Sequence, residues 1–193
     1  PHILQVFKKQ YNGIHIRLSI SDTKDITRKM EESEIDIGFV GAKDRTKKLE
    51  FKKLLDDTIV IVTPSEYPNL TDMEHLKDYP FIMREPGSGT RDCFESTLKE
   101  VNSSLLKDLQ VVAELTDTEA IKEAVKNGMG ISYVSERAIK DELARGTVKI
   151  LKMTGLHGIQ RSFYTITKKG KTLLPQVKAL MDIIDKWGKN RNP

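Results

Sequence analysis

Apolar and polar positions along the chain repeat with two periods, and the alternation between them predicts the elements. His15-Ile16-Arg17-Leu18-Ser19-Ile20 alternates polar with apolar and predicts a strand. The polar cluster Ser21-Asp22-Thr23 then offers caps for a helix carrying Ile26 and Met30. Ile35-Asp36-Ile37-Gly38-Phe39-Val40 predicts a second strand, and the β-branched run Thr-Ile-Val-Ile-Val-Thr at residues 58–63 predicts a buried one. Pro64 and Pro68 end regular structure there. Pro80-Phe81-Ile82-Met83-Arg84 is the next strand, followed by the turn Gly87-Ser88-Gly89-Thr90 and a helix with Phe94, Leu98 and Val101 on one face. A third strand-turn-helix unit follows: a strand over 109–115, a Thr116-x-x-Glu119 capping box, and a helix through Ile121, Ala124 and Val125 stopped by Gly128. Residues 130–134, 148–153 and 162–167 read as strands, 136–144 as helical, and Leu173, Val177, Leu180, Ile184 and Trp187 form the apolar stripe of a last helix. Strands spaced by helices of this length need crossover connections, so the fold class is α/β with a largely parallel sheet covered on both faces.

Composition narrows the class. With 193 residues and 38% hydrophobic content the chain can build a core, as one large domain or two small lobes. The 31% of charged residues and the lack of an apolar run near the ~20 residues a bilayer demands exclude a spanning helix. No signal-peptide pattern opens the chain at Pro1, and a lone cysteine, Cys93, cannot form an internal disulfide; both point to the cytoplasm. The net charge of +4 invites a nucleic-acid reading, but the two signs are interspersed. The densest run, Lys43, Arg45, Lys47, Lys48, Lys52 and Lys53, has no helix-turn-helix pattern nearby and reads as solvated surface.

Candidate chemistry sits where strands hand over to helices. Helix N-termini there present unpaired amides and a partial positive charge to ligands. Three such ends occur, at 21–23, 88–91 and 116–119. A hydroxyl at a helix start is more often a cap than a ligand contact. Gly-Ser-Gly-Thr-Arg is denser: two glycines that let amides approach an anion, two hydroxyls and the charge of Arg91 make this turn the strongest local signal. Enzyme motifs fail. Pro86 stands where a nucleophile elbow around Ser88 needs glycine, and no phosphate-binding loop ending in Gly-Lys-Ser/Thr is present. His2, His15, His75 and His157 lack metal-ligand spacing, and Cys93 beside Phe94 reads as packing. Glu85 and Asp22 are the only acid-base candidates, against turn and cap roles. The expectation is no catalytic set, no metal and no cofactor.

Together these motifs resemble a known family. Residues 3–11 (Ile-Leu-Gln-Val-Phe-Lys-Lys-Gln-Tyr), the strand and turn at 15–23, and the strand at 35–40 are similar to the opening of LysR-type effector domains. Residues 60–64 resemble that family's exit strand, Arg84-Glu85-Pro86-Gly87-Ser88-Gly89-Thr90-Arg91 its effector loop, and Val125-Lys126-Asn127-Gly128-Met129-Gly130-Ile131 its glycine turn. The likeness covers essentially the whole chain, and the loop resembles most the regulators of sulfur and cysteine metabolism. Asn12 departs from a proline common in the family, and Asp22 places a carboxylate beside hydroxyls expected to face an anion.

The resemblance implies a type 2 periplasmic-binding-protein fold of two Rossmann-like lobes joined by two crossing strands. Lobe I is expected from 1–63 and 136–193 and lobe II from 64–135, with crossings near Thr63-Pro64 and Ser135. It implies an effector-sensing domain of a transcriptional regulator, a homodimer or tetramer that meets DNA only through an upstream winged helix-turn-helix domain. The ligand is expected to be a small anionic metabolite, such as sulfate, sulfite or an acetylated serine, held in the inter-lobe cleft. Ser21 and Thr23 would face Ser88, Gly89, Thr90 and Arg91, with Thr63 near the hinge. The alternatives are a solute-binding receptor of a transporter and an enzyme on the same fold.

Overall fold

The computed structural model describes residues 2–43, 46–156 and 158–189, so Pro1, Arg45 and His157 of the expectations above lie outside the described residues. The chain forms helices α1 (His2–Gln10) and α2 (Thr23–Glu31), then strands β1 (Gly38–Val40) and β2 (Leu49–Pro64). A 3-10 turn (Met73–Asp78) leads to β3 (Pro80–Arg84), α3 (Gly89–Val101), α4 (Leu105–Asp108), β4 (Gln110–Leu115) and α5 (Thr118–Lys126). Strand β5 (Ser132–Ser135) runs through a second 3-10 turn (Glu136–Ile139) into α6 (Lys140–Ala144), followed by β6 (Val148–Ile150), β7 (Ile159–Lys168) and α7 (Pro175–Lys189). Contacts group the chain into unit 1, residues 1–56 with 162–193, and unit 2, residues 57–161. The divisions thus fall inside β2 and β7, whereas the expected ones lay near Thr63-Pro64 and Ser135. The difference arises because β5 and β6 hydrogen-bond to the second half of β2, which ties residues 132–150 to unit 2.

In unit 1, α2 turns Ile26 and Met30 onto Val40, Leu49 and Ile166, the positions its apolar spacing predicts. Strand β1 pairs antiparallel with β7, Phe39 opposite Thr165, and α1 lies against α7. One predicted strand is absent: residues 14–22 join no ladder, and Leu18 and Ile20 stay 64% and 93% exposed. The alternation is there, but no neighbouring strand and no core face receive it, and a strand exists only through its partner. Residues 15–20 therefore share no sheet with 148–153 or 162–167. The strand over 35–40 shortens to Gly38–Val40.

In unit 2, the second half of β2 pairs antiparallel with β5 (Ile61 opposite Tyr133) and with β6 (Thr63 opposite Lys149). Alternation sends Ile59 and Ile61 to one core and Val60 and Val62 to another, so this stretch is buried on both faces, as its β-branched run predicts. Phe81, Phe94 and Tyr133 stack at the centre of the first core, with Phe94 and Tyr133 centroids 4.0 Å apart. The Tyr133 hydroxyl accepts the Arg84 amide, and burial pushes its phenol up to about 12.

The expected largely parallel sheet is corrected by these pairings: among the described residues β3 and β4 form a parallel pair of strands, Pro80 opposite Gln110, with a single parallel bridge from Phe81 to Ile131 beside it. That pair is joined by the α3 crossover, as a parallel pair must be. The long strands β2 and β7 instead run through both units and take antiparallel neighbours. The Thr116-x-x-Glu119 capping box is also not realised. Asp117 caps α5 by accepting the Ala120 amide, which moves the helix start one residue on. Gly128 ends α5 at φ +75°, where a side chain is disfavoured.

Candidate functional site

Each helix start singled out above has its own local chemistry. At α2, Asp22 is the N-cap and its carboxylate accepts the Asp25 amide at 2.8 Å. Asp25 adds a second carboxylate, held well below the usual range by hydrogen bonds from Lys29, then Ser21 and Arg28. Ser21 is thereby engaged with Asp25, and Thr23 is the first helical residue. Two of the protein's own carboxylates thus stand at this end, where they complement the helix dipole. The α5 end is likewise taken up by Asp117, while Arg84 reaches the Thr116 carbonyl and the Thr118 hydroxyl.

The start of α3 differs. Gly87 turns the chain at φ +95°, and Ser88 takes the N-cap position with an extended backbone. Ser88 is 2% exposed, and its hydroxyl makes no cap hydrogen bond. Gly87, Gly89 and Thr90 are buried beside it. The first helical bond runs from Asp92 to the Ser88 carbonyl, and the amides of Gly89, Thr90 and Arg91 meet no acceptor among the described residues. A buried helix end whose donors lack partners is a site that an anion can satisfy. Asp92 sits exposed in the same first turn.

Arg91 is committed elsewhere. Its guanidinium bonds Glu95 at 2.6 Å, Glu114 at 2.8 Å and the Arg84 carbonyl at 2.8 Å, clamping α3 to β3 and β4. Glu85, an acid-base candidate, is gripped by Arg84 through two bonds of 2.8 Å. Thr63 is fully buried on the phase of Ile59 and Ile61, and its hydroxyl has no partner. It lies six residues, about 20 Å of strand, beyond Asp57. Asp57 binds Arg161, which in turn reaches Thr90, so the structure does not bring Thr63 to the Ser88 turn by this route.

Three residues beside the turn escaped the sequence reading. Arg161 donates to Thr90 Oγ1 at 2.8 Å and to Asp57 Oδ2 at 2.8 Å, and Ser135 donates to Asp57 Oδ1 at 2.6 Å. The Asp57 side chain is wholly buried. A signal existed: Asp57 shares the inward phase of Ile59 and Ile61, and a carboxylate on a core phase requires a counterion. Nothing local named Arg161, 104 residues away, as that counterion. Among the described residues no cluster of His, Cys, Asp and Glu could hold a metal ion, and no helix is long and apolar enough to cross a membrane.

A two-unit α/β chain with an unfilled, buried helix start belongs to the class of small-ligand-binding domains. The LysR substrate binding domain profile matches residues 1–189, and the chain belongs to that family. The HTH-type transcriptional activator CmpR of Synechocystis is 30% identical over 188 residues, covering 95% of this chain and 60% of CmpR. A protein of Anaeromyxobacter dehalogenans named Phosphonates import ATP-binding protein PhnC is 32% identical over 186 residues, covering 95% of this chain but 37% of that protein. The chain therefore spans less than two thirds of these relatives. The Synechocystis CcmR regulatory domain, solved in complex with 2-PG, matches at TM-score 0.89 and 29% identity, over 100% of this chain and 92% of that one. The expected type 2 periplasmic-binding-protein fold is the fold of this family.

Proposed function

We propose that the chain senses a small oxyanion at the start of α3 and is the effector-binding part of a LysR-type transcriptional regulator. In that reading a winged helix-turn-helix domain upstream contacts DNA, and the protein is a cytoplasmic dimer or tetramer. The observation that carries the ligand reading is Ser88, 2% exposed and without a cap hydrogen bond, beside the unmet amides of Gly89, Thr90 and Arg91. The exposed Asp92 opposes an anion there, but solvent screens its charge. Sulfate, sulfite and an acetylated serine suit this donor set, and 2-PG, the compound held by the CcmR domain, joins them. Catalysis is not part of the reading: Glu85 is tied to Arg84, and Asp22 is a cap.

Calorimetric titration of sulfate and 2-PG into the wild-type chain and Ser88→Ala tests the site. Loss of one hydrogen bond to a charged group should weaken binding by about 1 to 2 kcal/mol, roughly 5- to 30-fold. Equal affinity in both proteins would reduce Ser88 to a structural residue. The family match does not favour the alternative, a solute-binding receptor of a transporter. The residues encoded upstream separate the two: a helix-turn-helix supports the regulator, and a signal peptide supports a receptor.

A further inference from the structure

Two asparagines of the chain, Asn12 and Asn127, are each followed by a glycine. Such a pair can rearrange without an enzyme. The glycine amide nitrogen loses its proton and attacks the asparagine Cγ, the side-chain nitrogen leaves as ammonia, and a five-membered imide forms. One water then opens the imide at either carbonyl, to aspartate or to isoaspartate. Glycine permits the attack because it has no side chain to hinder the approach and leaves the backbone free to adopt it. The motif is identical at the two sites, so their surroundings decide which one reacts. At Asn127 both reacting groups are held. Its side-chain amide donates to the Glu123 carbonyl at 2.7 Å, and the Gly128 N–H donates to the Val125 carbonyl at 3.0 Å. These bonds close the C-terminal end of α5, so reaction there requires the helix end to open first.

At Asn12 neither group is held. Asn12 and Gly13 are exposed in the turn after α1, and the Asn12 side chain and the Gly13 N–H meet no hydrogen-bond partner among the described residues. A Cβ added at Gly13 would meet nothing within 4 Å, so the turn has room to rearrange. Lys8 favours the reaction as well. Its ammonium donates to the Asn12 carbonyl oxygen at 2.6 Å and is anchored on the Ile14 carbonyl at 2.6 Å. That oxygen and the Gly13 nitrogen belong to one peptide group. Negative charge that develops as the nitrogen loses its proton therefore spreads onto the oxygen that Lys8 faces, where a fixed cation stabilises it. We infer that Asn12 is a modification site of this chain: it deamidates spontaneously in the folded protein, with Lys8 stabilising the attacking amide, while the end of α5 protects Asn127. The product sets a carboxylate near the Lys8 ammonium and lowers the formal net charge of +4 by one. Its isoaspartyl form lengthens the backbone by one methylene where α1 gives way to residues 14–22.

The experiment keeps the purified chain at pH 8 below its melting temperature and follows the conversion of amide to carboxyl at each asparagine by peptide mapping and mass spectrometry. In the native chain Asn12 should convert about tenfold faster than Asn127, the worth of the hydrogen bonds that must open first at the end of α5. In guanidinium chloride the two rates should converge, because unfolding removes both the protection at α5 and the lysine contact. Gly13→Ala, whose new Cβ meets open space, should slow Asn12 strongly at an unchanged melting temperature. Lys8→Met should slow Asn12 several-fold in the native chain, leave Asn127 as it was, and have no effect in the unfolded one. A native Asn12 that converts no faster than Asn127 overturns the inference, as does a ratio that is the same in native and unfolded chains. An Asn12 rate that is unchanged or faster in native Lys8→Met overturns the role of the lysine.

Discussion

Thr63 and Ser88 are both buried residues, but the surroundings of their hydroxyls give them opposite meanings. Thr63 lies on the aliphatic face of β2 that carries Ile59 and Ile61, so its hydroxyl costs desolvation and returns no bond. Thr63→Val keeps the branched shape and should leave stability equal or raise it by about 1 kcal/mol in urea unfolding, with anion affinity unchanged. A loss of stability would show an unseen partner for the hydroxyl. Ser88 instead holds the N-cap position of α3 without a cap hydrogen bond, which leaves its hydroxyl to the anion proposed above. Cys93 illustrates the same dependence on surroundings: burial raises its thiol above the ordinary value, against the pull of Arg161. It should react with iodoacetamide at pH 8 more slowly than a free cysteine, and a faster rate would contradict its packing role.

Two contacts between elements can be tested by substitution. Gly130, at φ +154°, sits where a Cβ would lie 2.4 Å from the Pro80 carbonyl oxygen, in the approach that lets Ile131 bond Pro80 and Ile82. Gly130→Ala combines a disfavoured backbone with a backbone clash and should cost about 3 kcal/mol in urea unfolding. In unit 2, Lys122 on α5 and Glu142 on α6 form a buried ion pair at 3.0 Å. Burial alone would raise the Glu142 carboxyl and lower the Lys122 amine, but the partners outweigh it, so Glu142 is lowered and Lys122 raised. A lowered carboxyl stabilises above its unfolded value, and that contribution is lost as pH falls through the folded one. A raised amine stabilises below its unfolded value, and its contribution is lost as pH rises through the folded one. The pair therefore contributes fully between about pH 4.3 and 10.4. Lys122→Met should cost about 3 kcal/mol at pH 7 by stranding Glu142, and the deficit should shrink near pH 3 once that carboxyl is protonated. A deficit independent of pH would mean that packing, not charge, is lost.

For the whole molecule, the expected dimer finds its support in unit 1. Leu18 and Ile20 stand exposed on a segment without strand partners, a combination of apolar side chains and unpaired backbone that soluble monomers usually cover. Sedimentation at high micromolar concentration should give a dimer, and Leu18→Asp/Ile20→Lys should shift it toward monomer with its melting temperature kept. A strict monomer for the wild-type chain would refute this.

Local pattern alone was enough to place β3, α3, the last helix and the doubly buried run in β2, because each reflects neighbours two to four residues apart whose spacing the chain carries with it. The Gly-Ser-Gly-Thr turn was legible for the same reason: a helix start and its glycines are local chemistry. The tertiary structure decided everything that needs a distant partner. It left residues 15–20 without a sheet despite their alternation, gave β2 antiparallel neighbours where crossovers suggested parallel ones, and drew Arg91 into ion pairs with Glu95 and Glu114. It also joined Asp57 to Arg161. Spacing along a chain records the face on which a residue lies, whereas the charge or strand that meets that face comes from wherever folding brings it, and no local period encodes that choice.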